Sequence, residues 1–135
     1  MSRTTVAYWI STALFALAMS GSASMNLMRT PELLAAMTRL GFPAWFPIWL
    51  GAWKLAGVLV LLAPRLPRLK EWATAGFTIS LTSAAAAHLF TGDPWTDAIA
   101  PLVMLSLGLA SWALRPPSRR LPASSGSTDR SLRRG

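Results

Sequence analysis

Four ionisable residues in this sequence lie in or beside long apolar runs, where a charge is costly and therefore informative. Lys54 falls inside F-P-A-W-F-P-I-W-L-G-A-W-K-L-A-G, residues 42–57, with Trp45, Trp49 and Trp53 ahead of it at a spacing of four. His88 lies in the run A-A-A-A-H-L-F, residues 84–90, and Asp93 and Asp97 follow within nine residues of it. Ser20, Ser22, Ser24 and Asn26 form a polar set at the end of an earlier apolar run. An ammonium in apolar surroundings donates hydrogen bonds to an anion or a carbonyl. A histidine with a carboxylate five residues away is an acid/base pair if the chain turns back between them. Tryptophans four apart on a helix share a face. Trp49 and Trp53 would then either pack or form one wall of a site for a flat apolar ligand such as a quinone.

The elements that hold these residues are four apolar segments, at about 5–25, 45–63, 72–90 and 98–114. A transmembrane helix needs about 20 mostly apolar residues. The chain is 53% hydrophobic and 13% charged, where soluble domains carry about 25% charged residues. Gly, Ala, Ser and Thr recur within every segment, as they do where helices pack closely in lipid. Gly76, Ser80, Ala84 and His88 fall on one stripe of the third. A soluble helical bundle would need charged outer faces, and these segments have none. The sequence therefore predicts an all-α, four-helix transmembrane bundle.

Basic residues set its orientation. With both termini cytoplasmic, ten Lys and Arg lie inside (Arg3, Arg65, Arg68, Lys70 and six in the tail) against Arg29 and Arg39 outside. A competing reading of the N-terminus is a signal peptide, since Arg3, an apolar run and S-G-S-A-S have that form. Tyr8 and Trp9 near the start of the run favour a retained helix with an interfacial anchor. In the first outer loop, Thr30-Pro31-Glu32 starts a helix, and Leu33, Leu34, Met37 and Leu40 continue it to about 40. This amphipathic helix is too short to span and belongs on the outer surface. The stretch 116–135, rich in Pro, Ser and Arg, reads as a disordered basic cytoplasmic tail.

A rise of about 1.5 Å per residue places Lys54 about 13 Å below Trp45, near mid-membrane. The same arithmetic puts Ser20, Ser24, Asn26, His88 and Asp93 in the outer half of the bundle, leaving the inner half to Leu, Val, Ala and Phe. A mid-membrane cation costs about 2.5–3.5 kcal/mol on insertion scales, and a flexible stem recovers part of that by reaching a polar zone. Lys54 thus either locks helix two to its neighbours or faces a cavity open to the outside.

The absence of cysteine excludes disulfides, thiol redox chemistry and thiolate-held clusters, and a single histidine excludes bis-His haem. The net charge of +8 raises nucleic acid as a partner. The long apolar blocks leave no folded basic face for it, so no nucleic-acid partner is expected.

From Ala7 to Leu114 the chain resembles the DoxX-like family of small four-helix bacterial membrane proteins. The resemblance rests on S-G-S near the end of the first segment, G-A-W-K-L-A-G-V-L-V-L-L in the second, E-W-A-T-A-G-F opening the third and A-A-A-A-H-L-F-T-G-D-P closing it. It implies that Lys54 occupies a polar position of helix two, that Glu71 and Gly76 match the entry to helix three, and that His88, Gly92 and Asp93 match a His–Gly–Asp element. Relatives often carry lysine near the end of helix one, where this chain reads Met25-Asn26-Leu27-Met28. The family name points to a subunit of a terminal quinol oxidase, and other relatives are linked to membrane oxidoreductase complexes.

The expectation is a multi-pass protein of the plasma membrane with no cofactor of its own. It would act as a non-catalytic subunit or quinone- and lipophile-binding component of a membrane oxidoreductase system. Its partners would be the lipid bilayer and either an oxidoreductase partner or further copies of itself. The candidate ligand-binding residues are Lys54, His88, Asp93, Trp49, Trp53, Ser20, Ser24 and Asn26, with no catalytic residue and no metal site assigned. The competing reading is a small oligomeric transporter of a lipophilic or anionic solute, against which stands the lack of an acid inside any span. An enzyme using His88 and Asp93 as an acid/base pair is the third.

Overall fold

A computed structural model describes residues 1–123. Five α-helices occur in this range, with two short 3-10 turns and, among the described residues, no strand. The last part of the tail, from residue 124, lies outside the described residues.

Helix α1 spans Arg3–Met28 and is capped by Ser2, whose hydroxyl accepts from the Thr5 amide at 3.1 Å. Helix α2, Pro31–Arg39, starts as its sequence dictates: Thr30 accepts from the Leu33 amide, Pro31 needs no hydrogen bond there, and Glu32 meets the positive end of the helix. None of its residues is fully buried. Helix α3, Phe46–Leu62, begins with Pro47 in its first turn. Helix α4, Pro67–Phe90, likewise starts on a proline. Lys70, expected in a loop, therefore lies inside the first turn of α4 and is 1% exposed. A 3-10 turn, Trp95–Ala98, runs directly into α5, Ile99–Ala113. Pro117–Arg119 forms a further 3-10 turn within the stretch expected to be disordered.

Helix α1 packs on α3 and α5, and α4 packs on the same two from the other side. The core lies between them and is built on Phe15, Met19, Val58, Leu61, Phe77 and Leu81. Phe15 and Phe77 meet edge to face at 5.1 Å and 88°, a favoured aromatic geometry. Two glycines make room for the pair. A Cβ on Gly108 would lie 2.9 Å from Phe15 Cε2, and one on Gly57 would lie 2.6 Å from Phe77 Cζ.

Helix α1 and the segment Trp95–Ala113 are long and apolar enough to cross a membrane. Helix α3 is apolar but has 17 residues. Helix α4 has 24 residues and opens on Arg68, Lys70 and Glu71. The helices leave large side chains bare along their middles: Leu17, Leu59 and Ile79 are each more than 60% exposed. Patches of that kind in water mark an interaction surface.

Candidate functional site

Polar side chains concentrate at two levels, and an apolar groove lies between them. At the end of the molecule where α1 finishes, Lys54 of α3 donates from Nζ to Ser22 Oγ of α1 at 2.8 Å. Among the described residues no carboxylate pairs with it. The partner of this cation is thus a neutral hydroxyl from the serine set, not His88 or Asp93.

The other side of Lys54 faces a groove of about 380 Å³ between α3 and α4. It exists because small residues face each other across these helices. Ala56 and Gly57 of α3 oppose Ala73 and Gly76 of α4. A Cβ added at Gly76 would meet nothing within 4 Å, so this glycine borders open space. Trp53 and Trp72 form the rims, and Ser80 adds a hydroxyl opposite Lys54's helix. Volumes of about 300–1,000 Å³, apolar walls and a few placed polar groups are typical of small-molecule sites.

Only Lys54 and Trp53 of the sequence-derived set line this groove. Trp49 packs against Trp53 with ring centroids 5.7 Å apart and is otherwise exposed. Ser24 turns back on its own helix to donate to Ser20 O at 2.9 Å. Asn26 is buried at the α1–α3 contact, where Gly51 approaches its Cβ, and its Nδ2 has no partner among the described residues.

His88 and Asp93 form a separate clamp. Gly92, at a φ of +78° that suits glycine, turns the chain so that the Asp93 amide donates to His88 O at 3.1 Å. Asp93 Oδ2 then sits 2.9 Å from His88 Nδ1 and 3.2 Å from Arg39 Nη2. This fastens the end of α2 to the end of α4. The carboxylate of Asp97 completes a group whose ligating atoms lie within 4.8 Å of one another. Arg39 already supplies a cation to it. The hydrogen bond with His88, helped by Arg39, holds the Asp93 carboxyl below the usual aspartate range against the opposing effect of burial.

A depressed carboxylate stabilises the folded state above its unfolded pKa, and that stabilisation is lost as pH falls through the folded value. The melting temperature of the wild type should therefore exceed that of Asp93→Asn from neutral pH down to about pH 4, and the two should converge below it. A gap that persists unchanged at about pH 3 would mean that the clamp is not electrostatic.

The second polar level was not legible in the sequence, which gave the inner half of the spans to apolar residues and left Lys70, Arg115 and Arg119 in a loop and the tail as an orientation signal. There Lys70 Nζ donates to the carbonyls of Val60 (2.6 Å), Leu61 (2.9 Å) and Ala63, capping the C-terminus of α3. Glu71 accepts from Arg115 Nη2 at 2.6 Å and from Trp112 Nε1 at 2.8 Å, tying α4 to α5. Arg119 lies over Trp9 with Cζ 4.7 Å from the ring centre, and its Nη1 reaches Tyr8 Oη and the carbonyls of Leu61 and Ala63 at 3.3–3.4 Å. Ser111 and Thr12 share a buried hydrogen bond of 2.6 Å between α5 and α1. The one available signal was Pro67, which starts a helix and so carries Lys70 and Glu71 onto its first turn.

No curated protein and no solved structure matches the chain. A family model does, over residues 10–111, which takes in α2 to α4 and most of α1 and α5, together with the Lys54 groove, the His88–Asp93 clamp and Glu71. These helices, with apolar faces turned outward, are those of a membrane protein that belongs to the DoxX-like family.

Proposed function

We propose that the protein is a four-helix membrane bundle, in which α1, α3, α4 and α5 cross the bilayer and both termini lie in the cytoplasm, and that it binds a lipophilic molecule in the α3–α4 groove. The single observation that carries this reading is the coexistence in one groove of apolar walls and a cation with no anionic partner among the described residues. A ligand with a flat apolar body and a carbonyl or anionic head satisfies both. The body lies between Trp53 and Trp72, and the head accepts from Lys54. A quinone has this chemistry. The groove opens sideways between α3 and α4, so such a ligand enters from the bilayer.

The orientation rests on the excess of Lys and Arg at the end where α1 starts. A C-terminal reporter active only on the outer side of the membrane would reverse it. The side chains lining the groove carry no thiol or metal ligand, so a quinone bound there exchanges its electrons with a partner. The protein then acts as a non-catalytic, quinone-binding component of a membrane oxidoreductase system.

The test is binding of a short-chain quinone to the purified protein, followed by tryptophan fluorescence and thermal stabilisation. A hydrogen bond to a charged group contributes about 1.5–3 kcal/mol, so Lys54→Met should weaken binding roughly 10- to 100-fold. Gly76→Leu, which fills the groove and leaves Lys54 in place, should abolish it. Equal quinone responses in the wild type and both variants would rule out this groove.

A further inference from the structure

Arg65, in the turn between α3 and α4, and Arg68, in the first turn of α4, are both exposed. Among the described residues neither has a carboxylate partner. Glu71 is the one described acid at this end, and it serves Arg115 and Trp112. Glu32, Asp93 and Asp97 lie at the other end, with α2 and the His88 clamp. Two cations three positions apart thus face outward with no anion of the described chain to meet them.

The backbone under these cations is held in place. Pro64 and Pro67 bracket Arg65 and Leu66, and each proline fixes its own φ. Lys70 bonds the carbonyls of Val60, Leu61 and Ala63, which pins the first turn of α4 to the end of α3. The neighbouring side chains are apolar: Leu66, Leu69 and Trp72 are all exposed. Arg68, Trp72, Gly76 and Ser80 follow one another at a spacing of four on α4, and the last three line the groove. Arg68 therefore stands one helical turn, about 5.4 Å, beyond Trp72 along the helix. Tryptophans gather at the headgroup level of a bilayer, and Trp9 and Trp112 are also exposed at this end. One turn further out is the depth of lipid phosphates.

We propose that Arg65 and Arg68 form a binding site for the phosphodiester of an anionic phospholipid whose headgroup carries no amine, with its acyl chains over Leu66, Leu69 and Trp72. Guanidinium groups donate paired N–H bonds to phosphate oxygens. A headgroup with an amine would bring a third cation to the two arginines, so the site selects against it. Because the turn is pinned, little freedom is lost on binding. The site rests on α3 and α4 crossing the bilayer, as proposed above, and not on the ligand of the α3–α4 groove.

The test uses the purified full-length protein in a nonionic detergent, with dioleoyl phosphatidylglycerol or dioleoyl phosphatidylcholine added. Native mass spectrometry reads the bound lipid, and melting reads its effect. The wild type should retain phosphatidylglycerol in preference and melt higher with it, saturably. Arg65→Gln/Arg68→Gln should melt like the wild type without lipid and bind phosphatidylglycerol roughly 30-fold more weakly, about fivefold per arginine. Arg3→Gln/Arg29→Gln removes the same charge elsewhere and should keep the preference. Inorganic phosphate should not raise the melting temperature. Equal losses in the two double variants would mean net charge rather than a site, and stabilisation by inorganic phosphate alone would mean a free anion. Either result overturns the proposal, as does equal retention of the two lipids by the wild type. A short-chain quinone added to the same samples separates this site from the groove. Arg65→Gln/Arg68→Gln should keep the quinone response, and a wild type that selects phosphatidylglycerol without responding to quinone supports the lipid site and removes only the groove ligand.

Discussion

Lys70→Met is expected to lower the stability of the protein by about 3 kcal/mol, the largest single-residue effect at this end of the fold. The last carbonyls of a helix have no partner within it. In α3 the Ala63 amide closes onto Leu59 O, and among the described residues Lys70 alone reaches Val60 O. Methionine fills the volume of the stem but donates nothing. Arg119 still covers Leu61 O and Ala63 O at 3.3–3.4 Å, while Val60 O is left bare. The loss is reduced because the cost of burying an ammonium disappears with it. Lys70→Arg should not rescue, since three carbonyls around one nitrogen fit a compact ammonium rather than a planar fork. Equilibrium unfolding in mixed micelles measures this. A Met variant within about 0.5 kcal/mol of wild type would show that the carbonyls find water instead.

The second large effect belongs to Glu71→Gln, with an expected loss of about 2–3 kcal/mol. Glutamine still accepts from Trp112 through its side-chain oxygen. Arg115, 6% exposed, then loses the only carboxylate that pairs with it among the described residues and remains buried as a cation. Breaking a fully buried pair costs about 3–5 kcal/mol, and the partial exposure of Glu71 reduces that. The double variant Glu71→Gln/Arg115→Met should be more stable than Glu71→Gln alone, because it removes the stranded charge. If the double variant is instead additive with Arg115→Met, the two side chains do not act as a pair.

Several features follow from the sequence through local physics. The start of α2 needs only Thr30, Pro31 and Glu32, because a cap, a fixed φ and a favourable charge act within one turn. The apolar runs give helices, and the outward placement of residues such as Leu17 and Ile79 follows from there being more apolar surface than a core of this size can cover. The meeting of His88 and Asp93 required only a turn at Thr91-Gly92. The special status of Lys54 was also legible, since one cation in an apolar run demands a partner.

The tertiary structure decided which partner. Ser22 lies 32 positions from Lys54, and nothing in spacing selects it over Ser20, Ser24 or Asp93; the rotation of α1 against α3, fixed where Gly51 admits Leu27 and Asn26, does. The groove depends on the same kind of event, because Gly57 admits Phe77 while Gly76 is left facing empty space. Charges at the other end were hidden for a different reason. Arg115, Arg119 and Lys70 looked like an orientation signal because charge counts ignore where a side chain points. Packing turned them inward onto Glu71, Tyr8 and the end of α3, where hydrogen bonds from distant parts of the chain compensate their burial. The sequence by itself determined that the chain forms apolar helices and that Lys54 must find a polar partner. Only the three-dimensional contacts decided which hydroxyl, which carbonyls and which open space those cations meet, since each contact joins two different elements: Lys54 and Ser22 lie 32 positions apart, and even Lys70 reaches carbonyls 7 to 10 positions away across the turn between α3 and α4.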